Sequence, residues 1–130
     1  MVVFFDIDGT VVDEATQIIP LSAVRAVQEL KRRGHTAVVN TGRPYGHIDP
    51  RVRDMAFSGY VCGCGMELIL NGVWRYHDTP SPELCRYVRD SVRACGMQAV
   101  YEGETALYSD GRWSLCPQAV KAVSYTHLTL

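Results

Sequence analysis

The stretch Met1-Val2-Val3-Phe4-Phe5-Asp6-Ile7-Asp8-Gly9-Thr10 decides the fold. β-Branched and aromatic residues run unbroken from Val2 to Asp6. That is the pattern of a strand buried on both faces, as in a parallel sheet. Gly9 and Thr10 end it. Carboxylates two residues apart share one side of an ideal strand. In open α/β sheets, ligands bind outside the carboxyl ends of the strands. Asp6 and Asp8 therefore stand where chemistry is expected.

Moving outward, a helix is predicted from about Ser22 to Arg33. Pro20 precedes it, Ser22 is its expected cap, Leu21, Val24, Val27 and Leu30 share a face, and Gly34 stops it. Lys31-Arg32-Arg33 falls in its last turn, where cations suit the helix dipole. His35 to Asn40 is the next strand. The order strand, helix, strand, with a connection long enough for a right-handed crossover, opens an α/β doubly wound sheet. A weaker helix follows, capped by Asp49 with Pro50 at its first position and Val52, Met55 and Ala56 as its apolar face. Tyr60 to Cys62 reads as a third strand. Met66 to Leu70 and Val73 to Tyr76 flank Asn71-Gly72, a strong hairpin signal.

The pattern changes near Thr79-Pro80. Ser81-Pro82-Glu83 starts a helix with Leu84, Tyr87, Val88, Ser91, Val92 and Cys95 on one face, ended by Gly96. Gln98–Tyr101 and Thr105–Tyr108 read as short antiparallel strands, and Asp110-Gly111 marks another turn. Residues 1–79 are thus assigned to an α/β core and residues 80–122 to part of an α+β module.

The chain has 130 residues, 47% hydrophobic and 21% charged, with a net charge of −1. That is enough for one globular domain with a core. No basic patch points to nucleic acid. No stretch approaches the ~18 apolar residues of a membrane span, and the start lacks a basic leader. A cytoplasmic location is expected. Five cysteines include no C-x-x-C pair, and Cys62-Gly63-Cys64 has the wrong spacing for a zinc or thioredoxin-like site. They are expected to be reduced thiols. His35, His47 and His77 are expected at the surface or in loops.

The residue types at the first strand end suit phosphoryl transfer. A carboxylate is ionised at neutral pH and needs no base to act as a nucleophile. A divalent cation bridging carboxylate and phosphate oxygens overcomes their repulsion. Gly9 lets backbone N–H groups turn toward phosphoryl oxygens, and Thr10 adds a hydroxyl. Asp8 can protonate the leaving alkoxide and then deprotonate water. The second strand ends in Asn40-Thr41-Gly42-Arg43, beside the first. Thr41 can offer its hydroxyl and backbone N–H to a phosphoryl oxygen, and Arg43 adds charge or orients the loop.

Asp6-Ile7-Asp8-Gly9-Thr10, followed by Thr41-Gly42-Arg43-Pro44-Tyr45 and Asn71-Gly72, resembles the haloacid dehalogenase-like hydrolases, and among them the Cof-type phosphatases with an α+β cap (subfamily IIB). The resemblance covers residues 1 to 122. It implies a Rossmann-like parallel-sheet core with an inserted cap that covers the site and selects the substrate. It implies Asp6 as nucleophile, Asp8 as general acid/base, and phosphate contacts from Gly9, Thr10, Thr41, Gly42 and Arg43. It further implies Mg²⁺ on the Asp6 carboxylate and the Asp8 carbonyl, with a small phosphorylated metabolite as substrate.

Family members are about twice this length. They return to the core with a lysine motif and an acidic G-D-x-x-[ND] motif. Here Lys121 is the only lysine besides Lys31, and it lies in the module, while Asp110-Gly111 has the wrong order. The chain is therefore expected to be a C-terminally truncated fragment. Its open sheet flank carries a risk of aggregation, so the fragment is expected to be poorly soluble and inactive. The tail, residues 123–130, resembles a translated sequencing adapter. Two alternatives stay open for the intact protein: phosphosugar mutase-type transfer, and a non-catalytic phospho-acceptor or binding module of the receiver kind. The third strand, Tyr60-Val61-Cys62, ends without the Asp a receiver places there.

Overall fold

The computed structural model describes residues 1–103 and 106–109. The elements run β1 (Val2–Phe5), α1 (Leu21–Arg32), β2 (Thr36–Asn40), α2 (Pro50–Arg53), β3 (Gly59–Cys62), β4 (Glu67–Leu70), β5 (Val73–His77), α3 (Pro82–Ala94), β6 (Tyr101–Glu102) and β7 (Leu107–Tyr108). One-turn 3₁₀ helices occupy Tyr45–His47 and Gly63–Gly65. The chain divides after Asp78 into two compact units.

In the first unit five strands form one sheet in the order β1-β2-β3-β4-β5. β1, β2 and β3 are parallel, with Phe5 opposite Val39 and Asn40 opposite Val61. β4 and β5 add antiparallel edges. The expected α/β, Rossmann-like sheet is therefore present, with a mixed edge. Its core joins Ile7, Val11 and Val12 after β1, Val27 of α1, Ala37 and Val39 of β2, Ile48, Val52 and Met55, and Tyr60, Cys62 and Ile69 of the later strands.

β1 departs from the expected double burial. Its residues alternate between exposed and half-buried, and Phe4 is 61% exposed. The reason is that only one face of β1 meets the core: Val3 and Phe5 are half-buried on it, while Val2 and Phe4 on the other face stay exposed. The composition of a buried strand thus sits on a half-covered one.

α1 begins at Leu21, one residue before its expected cap. Pro20 occupies the cap position, and no side chain caps the end. Ser22 is already helical. The C-terminus follows expectation: the Gly34 amide donates to the Lys31 carbonyl and the His35 amide to that of Leu30, a Schellman pair. Glu29 binds Arg32 and Arg33, both at 2.7 Å, and these partners pull its carboxyl down to about 2. α2 is a single turn. The Asp49 carboxylate caps it by accepting the Arg51 amide, with Pro50 at the first position. Because the turn ends at Arg53, Ala56 leaves the expected apolar face. It is exposed, with φ +34°.

The hairpin turn matches its reading. Asn71 (φ +50°) and Gly72 (φ +74°) both adopt left-handed backbone, as a type I′ turn requires. In the second unit, Ser81 Oγ accepts the Leu84 amide and starts α3. Tyr87 on the expected apolar face is 71% exposed, and Leu84 and Val88 are exposed too, because no described residue covers them. β6 and β7 are two residues each, shorter than expected, closed by the Gly103 amide on the Ala106 carbonyl. Asp110-Gly111, Cys116, Lys121 and the tail lie outside the described residues.

Burial gives the first unit an alkaline limit. Cys62 is fully buried, and burial, helped by nearby Glu67, pushes its thiol from 9.0 up to about 12. Burial, with Tyr45 beside it, lifts Tyr60 from 10.0 to about 12 as well. Both groups hold their protons more tightly when folded. Their stabilising effect is present below pH 9 and is lost as pH climbs from 9 through about 12. Circular dichroism against pH is expected to show unfolding in that window, shifted upward in Cys62→Val. At pH 8 a thiol reagent is expected to modify exposed Cys64 and leave Cys62 untouched until the chain unfolds.

Candidate active site

The parallel register brings the ends of β1, β2 and β3 to one edge of the sheet. Asp6 follows β1 directly. Its carboxylate is exposed, and Oδ1 accepts the amide of Ile7 at 2.8 Å. Ile7 is 3% exposed and plugs the core between the two exposed acids. Its carbonyl gathers the amides of Thr10, Val11 and Val12, while the Gly9 amide donates to Val12. Gly9 permits this tight loop with φ +73°.

These bonds change what the loop offers. The amides of Gly9 and Thr10 close the loop instead of turning outward, and the Thr41 amide donates to the Val61 carbonyl. Backbone donation at Gly9 and from Thr41, expected from the sequence, is not available from these amides in this conformation. Donors not taken up by these bonds include the Gly42 amide, the exposed Thr10 hydroxyl and the hydroxyl of buried Thr41, which accepts the Arg43 amide at 3.2 Å and keeps its own hydrogen for a further acceptor.

Arg43 reaches back across the gap. Its Nε donates to Asp8 Oδ2 at 2.9 Å and its Nη2 to Asp8 Oδ1 at 2.7 Å. This is a bidentate fork, the geometry that sets Arg apart from Lys. Both groups remain partly solvated, so the pair orients Asp8 more than it stabilises the fold. Asp6, Asp8, Thr41 and Arg43 thus gather at one sheet edge. Gly42 lies against Cys64, whose Sγ is 3.5 Å from where a Cβ on Gly42 would be.

Among the described residues no three His, Cys, Asp or Glu form a metal-holding group. The oxygens present still suit one class of ion. Asp6 has one carboxylate oxygen beyond the one that accepts Ile7, and the Asp8 carbonyl takes none of the loop's backbone bonds. Mg²⁺ is commonly held by one or two protein oxygens, with waters and substrate phosphate completing its shell. The donor set fits such an ion.

Glu67 was not singled out in the sequence. It is 5% exposed at the start of β4, and its Oε2 accepts the Tyr45 amide at 2.6 Å. The signal was there: Glu67 shares the inward face of β4 with Ile69, where an acid is out of place. His77 is exposed and His35 lies in a loop, as expected; His77 stacks on Trp74 at 5.0 Å with Nε2 4.0 Å from Glu67. His47 departs: it is half-buried in the 3₁₀ turn, and its buried Nε2 has no hydrogen-bond partner among the described residues.

The sequence matches the haloacid dehalogenase-like hydrolase family over residues 3–126. The chain belongs to that family. It is similar to the "Putative phosphatase YkrA" of Bacillus subtilis (strain 168), with 31% identity over 81 residues, covering 62% of this chain and 31% of that protein. A hypothetical protein from Geobacillus kaustophilus HTA426 superposes with a TM-score of 0.71 at 26% identity, over 86% of this chain and 44% of that one. The subclass IIB sugar phosphatase BT4131 shares the fold, with a TM-score of 0.69 at 24% identity, over 83% of this chain and 43% of its own. The chain therefore spans about a third of the curated relative and less than half of these two solved structures. Membership of the haloacid dehalogenase-like family agrees with the Rossmann-like sheet. No helix among the described residues is long and apolar enough to cross a membrane.

Proposed function

We propose that the protein carrying these residues hydrolyses phosphomonoesters of small metabolites, sugar phosphates or similar, through an aspartyl phosphate on Asp6. The observation that supports this most is an exposed Asp6 carboxylate at the end of a parallel strand, two residues from an Asp8 held by Arg43. An Asp6 oxygen attacks phosphorus, and the ester P–O bond breaks. The leaving alkoxide takes a proton from Asp8. Asp8 then removes a proton from water, which attacks phosphorus, breaks the Asp6–phosphorus linkage and frees inorganic phosphate. The hydroxyls of Thr10 and Thr41 bind phosphoryl oxygens. The incoming dianion competes with Asp8 for the Arg43 fork, and sharing it releases Asp8 to carry the proton. Mg²⁺ on the Asp6 carboxylate and Asp8 carbonyl, when bound, neutralises the repulsion between carboxylate and phosphate.

In the same reading residues 1–79 are core and residues 80–122 begin a cap that selects the substrate. A receiver-like phospho-acceptor role is disfavoured, because β3 ends in Cys62-Gly63 without an acid. The test is phosphate release by the full-length protein from a panel of sugar, polyol and nucleoside monophosphates, with and without Mg²⁺. Mg²⁺-dependent release from at least one sugar or polyol phosphate is expected. No release from any of them overturns the proposal.

A further inference from the structure

Outside the acids themselves, the most unusual group in the first unit is the buried carboxylate of Glu67. Burying a carboxylate is costly unless its oxygens are satisfied. Oε2 is satisfied by the Tyr45 amide at 2.6 Å, and Oε1 faces His77 Nε2 at 4.0 Å. Tyr45 is the first residue of the 3₁₀ turn that closes the Thr41–Tyr45 loop. That loop carries Thr41 and Arg43, and among the described residues three bonds to its backbone groups tie it to β3, the residue after β3, and β4. The Thr41 amide donates to Val61, the Gly63 amide donates to the Arg43 carbonyl, and Glu67 takes the Tyr45 amide. The first two are backbone bonds that any sequence can make. The third depends on one side chain.

We infer that Glu67 is a positioning residue: by fixing the Tyr45 amide it sets the path of the Thr41–Tyr45 loop and so aims the Arg43 fork at Asp8. The inference deepens the proposed function and rests on that reading for its catalytic meaning. Aromatic contacts make the anchor stiff. Tyr45 packs edge-on against Tyr60 at 5.2 Å and Trp74 at 5.7 Å, so the loop pivots little once its amide is held. A charge-assisted bond to a carboxylate is also shorter and stronger than a neutral one. Glu67 touches no reacting atom. Its effect on the site passes through the loop.

The test uses the full-length protein with ¹⁵N-labelled arginine and backbone. The Arg43 Nε–H, which donates to Asp8 Oδ2 at 2.9 Å, gives a resonance assigned by its loss of protection in Asp8→Ala. In Glu67→Leu the acceptor is gone, and Tyr45 amide exchange is expected to speed up by about tenfold. The Arg43 Nε–H signal is expected to move toward its Asp8→Ala position. Glu67→Gln retains an acceptor oxygen and is expected to preserve both signals. Glu67→Asp withdraws the carboxylate by about 1.5 Å and is expected to behave like Glu67→Leu. The Asp and Gln variants decide the matter if the Leu variant does not fold. An unchanged Arg43 signal in Glu67→Leu or Glu67→Asp, or an equal loss in Glu67→Gln, overturns the inference. Failure of the proposed function shows differently: inorganic phosphate then leaves the wild-type Arg43 signal unmoved, a result on which the variant comparison does not depend.

Discussion

Asp6→Asn is expected to abolish phosphate release by the full-length protein, by on the order of 10⁴-fold or more. The amide has the shape of the carboxylate and still accepts the Ile7 amide, which Asp6 Oδ1 holds at 2.8 Å. The local backbone therefore has no reason to move, and an exposed substitution of this kind changes stability by only about 0.5 kcal/mol. What disappears is the anionic nucleophile, together with a charged ligand for a cation. Phosphate release under saturating substrate, compared with the urea midpoint of the same variant, separates the two effects. A variant that keeps a tenth of the turnover shows that Asp6 is not the attacking group.

Ile48→Ala is expected to lower stability by about 2–5 kcal/mol. Ile48 is among the largest fully buried side chains, at 1% exposed, and sits where the 3₁₀ turn runs into α2. Its amide donates to the Tyr45 carbonyl at 3.2 Å, so the side chain pins the segment just downstream of Thr41–Tyr45 into the core. Truncation leaves a cavity in the buried cluster to which Ile48 belongs, which partial relaxation does not fill. Since small domains are stable by only about 5–15 kcal/mol, the loss is a large fraction of the total. Urea unfolding followed by circular dichroism measures it. A cost below 1 kcal/mol would show that this segment is not anchored through Ile48.

Most of the sheet was legible because its signals are local. Asn71-Gly72, Asp49-Pro50 and the end of α1 at Gly34 each carry their conformation in one or two residue types. The two acids at the end of β1 were legible for the same reason. What escaped was long-range. Val2 to Phe5 has the composition of a doubly covered strand, and nothing in those residues says which neighbours are present. The Ser22 cap failed because Pro20 already presets the entry angle of α1. The amides of Gly9, Thr10 and Thr41 look free in the sequence, but the fold gives each a carbonyl. Arg43 on Asp8 joins residues 35 apart, and Glu67 on Tyr45 joins residues 22 apart, distances at which spacing carries no information.

The placement of Ile7 between Asp6 and Asp8 has a bearing on how the strand finds its partner. Exposed, buried and exposed side chains alternate there, continuing the alternation of β1. Sliding β1 by one residue against β2 would turn Ile7 out to water and drive both carboxylates into the hydrophobic interior. Burying each unpaired charge costs several kcal/mol. The pair that carries the chemistry thereby also proofreads folding, because the misaligned strand is the one arrangement in which those acids cannot remain ionised and solvated.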